Sequence, residues 1–151
     1  MKSEVKIDGK QIKITRVFNA PRLLVFGYWT RAENLQKWSG CKDAAKCEIE
    51  VDFRVGGSFT QRMQITGAGD FTITGRYEEI VVPERIVYEA VLGSFATTRV
   101  TVDFIELGSQ TKVVLTQTGI PDETMCGFIS QGTDESFDKL DCLLAVQKAH
   151  A

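Results

Sequence analysis

Residues 99–148 read RVTVDFIELGSQTKVVLTQTGIPDETMCGFISQGTDESFDKLDCLLAVQK, and the change of rhythm inside this run decides the fold. From Arg99 to Phe104, apolar Val100, Val102 and Phe104 alternate with Arg99, Thr101 and Asp103. That is the period-two pattern of a half-buried strand. Gly108-Ser109 is a two-residue hairpin signal, and Val113 and Leu115 alternate with Val114 and Thr116 in a last strand that includes Gln117. After Gly119-Ile120-Pro121 the period becomes helical. Phe137, Leu140 and Leu144 define one apolar stripe. Met125, Phe128 and Ile129 share one side of an earlier piece, which Gly127 and Gly132 weaken by about 1 kcal/mol each relative to alanine. Thr133 suits an N-cap, with Asp134 and Glu135 near a positive helix end. The spacing thus predicts helix over 122–148, as one helix or two. Cys142 falls in the apolar stretch and reads as a small core residue.

Upstream, strands follow in quick succession. Cys47 to Phe53 alternates, and Val55-Gly56-Gly57-Ser58 is a hairpin turn. Phe59, Gln61, Met63 and Ile65 share one side of the next strand, and Gly67 to Asp70 makes a turn. Phe71, Ile73, Gly75 and Tyr77 share a side of a strand running toward Val82. After the Pro83-Glu84 turn, Ile86, Tyr88, Ala90 and Leu92 do the same.

Near the N-terminus, Gln11 to Phe18 alternates with Ile12, Ile14, Arg16 and Phe18 on one side. A charge on that side is unusual. Arg16 either snorkels to a strand end or pairs with a carboxylate, or it joins Tyr77 or Tyr88 in an inward polar constellation. Pro21 opens a short amphipathic helix over 21–31, and a second covers 31–38. The order is one strand, two short helices, about six tightly joined strands and a long helix. It predicts an α+β fold in a single domain over residues 1–151: a curved antiparallel sheet whose apolar face is covered by the C-terminal helix.

Composition excludes several functions. The chain has 151 residues, 43% hydrophobic and 25% charged, enough for a core without disulfides or metals. Eighteen basic against 20 acidic residues give a net charge of −2, against an electrostatic nucleic-acid binder. No stretch approaches the roughly 20 apolar residues that span a bilayer. Met1 to Lys6 is mixed and polar rather than a secretory signal, so the expected compartment is the cytoplasm.

The four cysteines, Cys41, Cys47, Cys126 and Cys142, form no C-x-x-C pair, and the only histidine is His150. Neither a metal site nor an organic cofactor is expected. The thiols read as reduced, a Cys41–Cys47 disulfide being the lesser reading. A single terminal histidine disfavours Ser-His-Asp and Cys-His chemistry. Gly67-Ala68-Gly69 lacks the third glycine of a dinucleotide fingerprint and reads as a turn.

Six segments in this order resemble a known family: Ile14 to Pro21, Val25 to Thr30, Leu35 to Trp38, Asp52 to Gly57, Gly75 to Ile80 with Pro83 to Ile86, and Ser136 to Leu140. They are similar to proteins like the C-terminal domain of the activator of Hsp90 ATPase, in the START-like (SRPBCC) helix-grip superfamily. The sequence departs from that pattern twice. Relatives often have two tryptophans where Trp38-Ser39 stands, and a tryptophan after the glycine where Gly132-Thr133 stands.

The resemblance implies a helix-grip fold with a cavity between sheet and C-terminal helix that takes an apolar or amphipathic small molecule. Its candidate walls are Trp38, Phe59, Met63 and Phe71, with Val100, Phe128 and Phe137. Tyr77 and Tyr88 add hydroxyls that can orient a ligand. Taken singly, each of these reads first as plain core. Two alternatives stay open: an interaction module modulating a chaperone ATPase, and a cyclase- or hydrolase-like enzyme using the same cavity. A monomer and a homodimer are both compatible with the sequence.

Overall fold

The computed structural model describes residues 2–40 and 44–149. It has one sheet of eight antiparallel strands and three helices. The strands are β1 (Glu4–Asp8), β2 (Gln11–Phe18), β3 (Ala44–Val51), β4 (Ser58–Ile65), β5 (Gly69–Val81), β6 (Arg85–Leu92), β7 (Ala96–Leu107) and β8 (Gln110–Thr118). The helices are α1 (Arg22–Gly27), α2 (Ala32–Trp38) and α3 (Glu123–Ala149). Strand order is β1-β2-β8-β7-β6-β5-β4-β3. Tight turns join β3 through β8 as a meander. β2 pairs with β8, and α1 and α2 carry the chain from β2 to β3 at the far edge. This is the α+β helix-grip arrangement, with α3 packed on the inner face.

Alternation drives the sheet. In β8, Thr111, Val113, Leu115 and Gln117 are buried while their neighbours are partly exposed. In β2, Ile12, Ile14, Arg16 and Phe18 point inward. The first strand read from the sequence starts at Gln11, which passes over β1. All five residues of β1 are exposed, so the alternation of Val5 and Ile7 with Glu4, Lys6 and Asp8 marks no buried face. β1 exists as an edge strand held by pairing from Glu4↔Thr15 to Asp8↔Gln11, around a turn at Gly9 with φ +62°. The two short helices therefore follow the second strand, not the first.

α3 is one continuous helix of 27 residues. Thr133 lies inside it rather than at its start. The cap is Asp122, whose Oδ1 accepts the Met125 N–H at 2.8 Å. Burial of Cys126, Ser130, Phe137, Leu140 and Leu144 along one stripe outweighs the two glycines, because tertiary packing overrides propensity. Cys142 is exposed, not core. It sits two positions past Leu140, roughly 200° around the helix from the buried stripe. Cys41 and His150 lie outside the described residues.

The inward charge on β2 pairs with α3. The Arg16 side chain is fully buried. Its Nη2 donates to Asp134 Oδ1 at 2.7 Å and Asp138 Oδ1 at 2.8 Å, and its Nη1 donates to Asp141 Oδ2 at 2.7 Å. Nε donates to Ser3 Oγ at 2.8 Å, and the guanidinium lies 5.8 Å from the Phe137 ring centre. Asp134, Asp138 and Asp141 follow the i, i+4, i+7 spacing of one helical face. Burial pulls the Arg16 pKa down, but the three carboxylates outweigh it and raise the pKa above the ordinary value. Arg16 thus clamps sheet to helix.

One end of the interior is solid. Trp29 packs on Trp38 at 4.6 Å and on Phe104 at 5.0 Å, and Phe104 meets Phe26 at 5.0 Å. Phe18 meets Phe137 edge-on at 5.4 Å. Such tilted and edge-to-face pairs are the favoured aromatic geometries. No helix among the described residues is long and apolar enough to cross a membrane.

Candidate functional site

Beyond the aromatic cluster, the sheet and α3 separate around a cavity of about 420 Å³. A strongly bent sheet and a single rod do not close completely, and the gap faces mostly apolar side chains. The floor is built by register. Tyr77, Tyr88, Val100 and Gln117 are successive cross-strand partners on β5, β6, β7 and β8. All four line the cavity. Val100 is 2% exposed.

β4 contributes Phe59 and Met63, and Phe59 is paired with Gly75 of β5. A Cβ on Gly75 would meet the Phe59 ring and the Glu89 carbonyl oxygen, so the glycine makes room for that wall.

The other walls come from helices. Trp38, its indole N–H donating to the Tyr28 carbonyl at 3.0 Å, closes one side. Gly40 just beyond α2 is tied to α3, its carbonyl accepting from Ser136 Oγ at 2.8 Å and Lys139 Nζ at 3.1 Å. Phe137 lies at the base of the helical wall, and Phe128 stands nearer the helix start. The rim is aromatic. Phe128 is 71% and Phe95 62% exposed, and Phe95 stacks on Phe71 with centroids 6.2 Å apart.

All nine residues singled out in the sequence therefore line one cavity: Trp38, Phe59, Met63 and Phe71 on one side, Tyr77, Tyr88 and Val100 on the floor, Phe128 and Phe137 on the helix. Arg16 does not line it, so no constellation with Tyr77 or Tyr88 forms. Reading residues one strand at a time missed Phe95, Gln61 and Gln117 as lining. For Gln117 a signal was present, because it shares a side with apolar Val113 and Leu115. Ser39 and Thr133, the two positions where relatives often carry tryptophan, both line the cavity.

Among the described lining residues there is no Asp, Glu, Lys, Arg or His. Tyr77 and Tyr88 are the ionisable groups. Burial pushes the Tyr88 phenol up to about 12, and burial, then the neighbouring Tyr88, push Tyr77 higher still. Both are neutral donors at physiological pH. A phenol whose folded pKa exceeds its unfolded value near 10 favours the fold below pH 10, and that contribution is lost as pH rises through the folded pKa. Stability should therefore fall between pH 10 and 12, Tyr88 contributing on the order of 2 kcal/mol of the fall. Urea unfolding of wild type and Tyr88→Phe across this window checks it, the variant showing the shallower decline.

Cys47 sits behind the wall, its Sγ 3.6 Å from Gln61 Nε2. Burial pushes its thiol up more than Gln61 and Lys139 pull it down, so it is no activated nucleophile. No group of three or more potential metal ligands occurs among the described residues.

The family described as "Activator of Hsp90 ATPase homolog 1-like protein" matches residues 19–145. No curated protein matches the chain. Among solved structures, a Chromobacterium violaceum protein is 26% identical, with a TM-score of 0.79, covering 89% of this chain and 96% of its own. A Rhizobium leguminosarum protein is also 26% identical, with a TM-score of 0.77 over 96% of this chain and 99% of its own. A Rhodobacter sphaeroides protein, 16% identical, shares the fold at a TM-score of 0.84 over 97% of this chain and 99% of its own.

Proposed function

We propose, for a chain that belongs to the family of activator of Hsp90 ATPase homolog 1-like proteins, that its work is to bind an apolar or amphipathic small molecule between sheet and α3. The observation that carries this reading is the cavity itself. A volume of about 420 Å³, lined chiefly by apolar and aromatic side chains, falls in the range of small-molecule sites. Tyrosine phenols held neutral are poorly suited to acid–base catalysis near pH 7, which favours binding over turnover. The family's name refers to a chaperone ATPase; the cavity is the feature of this chain that favours a small molecule instead. We assign the protein to the cytoplasm, as one domain, on its sequence.

The test uses N-phenyl-1-naphthylamine, an uncharged dye that brightens in apolar surroundings. The dye should brighten on binding and raise the melting temperature. At a free concentration 100 times its Kd, linkage contributes about 2.7 kcal/mol, or roughly 5–10 °C for a chain of this size. Thr133→Trp should weaken the effect while keeping the fold, because an indole there takes up part of the cavity that Thr133 now lines. A dye that neither brightens nor stabilises wild type, or that binds Thr133→Trp equally well, overturns the reading.

A further inference from the structure

The cavity has a defined polarity at its floor, and it is set by a hydrogen-bond chain outside the apolar wall. Thr98 Oγ1 donates its only proton to the Ala90 carbonyl at 2.9 Å. The same oxygen lies 2.9 Å from Gln117 Nε2. With its proton committed, that hydroxyl can only accept, so the Gln117 amide must turn its nitrogen toward Thr98. The amide oxygen is then the free end. No described residue donates to it. Yet it is not sealed in, because Arg22 Nε is the only enclosed side-chain nitrogen or oxygen without a partner among the described residues. Gln117 is 6% exposed and lines the cavity, so Oε1 opens onto that space.

Its surroundings narrow the occupant further. The described lining offers no formal charge to pair with a carboxylate, phosphate or ammonium. Burying an unpaired ion in such a space is strongly unfavourable. Tyr88 lies two strands from Gln117 in the same cross-strand row, roughly 10 Å away at about 4.8 Å per strand. Its hydroxyl has no protein hydrogen-bond partner among the described residues and can serve a second polar atom.

We infer that the ligand is an uncharged amphipathic molecule with a hydroxyl or amide N–H that donates to Gln117 Oε1, its apolar body lying against the aromatic wall. Gln117 is then the specificity-determining residue, and Thr98 the positioning residue that fixes which end of the amide the ligand meets. This rests on the proposed small-molecule reading.

Three probes of one shape test it by calorimetry at pH 7: 2-naphthol, naphthalene and 2-naphthoate. Wild type should bind 2-naphthol about fivefold or more tighter than naphthalene, and at least about 100-fold tighter than 2-naphthoate. Gln117→Leu should bring the naphthol-to-naphthalene ratio to within about twofold of one while naphthalene still binds, since only the acceptor is gone. Thr98→Val, which frees the amide to flip, should reduce the ratio without removing it and serves as the readout if Gln117→Leu does not fold. Equal binding of the naphthoate, or an unchanged ratio in whichever variants fold, overturns the inference. Should none of the three bind although N-phenyl-1-naphthylamine does, the inference alone falls. Should the dye fail as well, the cavity reading falls with it.

Discussion

Arg16→Met is expected to lower the free energy of unfolding by about 3 kcal/mol, the lower end of the range for breaking a buried ion pair. For a chain of about this length that is a drop in melting temperature of roughly 6–12 °C. The size follows from asymmetry. The Arg16 side chain is 0% exposed while Asp138 is 64% exposed and Asp134 41%. Removing the guanidinium takes away the cation that three carboxylates on one helical face share, although two can turn toward water. Removing one carboxylate leaves Arg16 with two others. Asp138→Asn alone should therefore cost under about 1 kcal/mol, as for half-exposed pairs.

Lysine cannot replace the arginine, because one ammonium does not reproduce a planar fork reaching Asp134, Asp138 and Asp141 at once. Combining Arg16→Met with asparagine at all three aspartates should recover part of the loss. Urea midpoints for these variants measure each value. A loss below 1 kcal/mol for Arg16→Met would show that the clamp does not hold α3.

Gly75→Ala should destabilise by about 2–4 kcal/mol, far beyond a typical single-methyl change. The added carbon would meet the Glu89 carbonyl oxygen on β6 and the Phe59 ring on β4. The carbonyl is main chain of β6, which pairs with β5, and cannot swing away as a side chain could. The ring is a cavity wall, so the same change should also weaken dye binding. Denaturant unfolding and dye titration of one variant read both effects. A Gly75→Ala protein as stable as wild type would mean that the strand relaxes freely at this position.

The sheet was legible in the sequence wherever one face is buried and the other wet, as in β7 and β8. β1 was passed over because it is short and neither of its faces is buried. Its alternation rests on Val5 and Ile7 alone, and both stay exposed. α3 read ambiguously because glycine lowers helix propensity locally, while its continuity comes from packing against a sheet that lies far away in sequence. Of the nine proposed wall residues, six lie on strands, where alternation marks the inward side, and Trp38, Phe128 and Phe137 lie on helices; the cavity itself was expected only from the family resemblance. The orientation of Gln117 was not legible, since it depends on Thr98 and Ala90, set by strand register rather than by proximity along the chain. Arg16 announced itself as an inward charge, but its partners lie more than a hundred positions later.

The strand order also carries a lesson about assembly. Since β2 docks on β8 and α3 follows every strand, the concave apolar surface is made whole before the rod that shields it exists. Closure awaits contacts between widely separated parts of the polypeptide, an arrangement that slows folding. A nascent or refolding copy thus passes through a stage with its greasy trough uncovered, when it is most prone to stick to its neighbours.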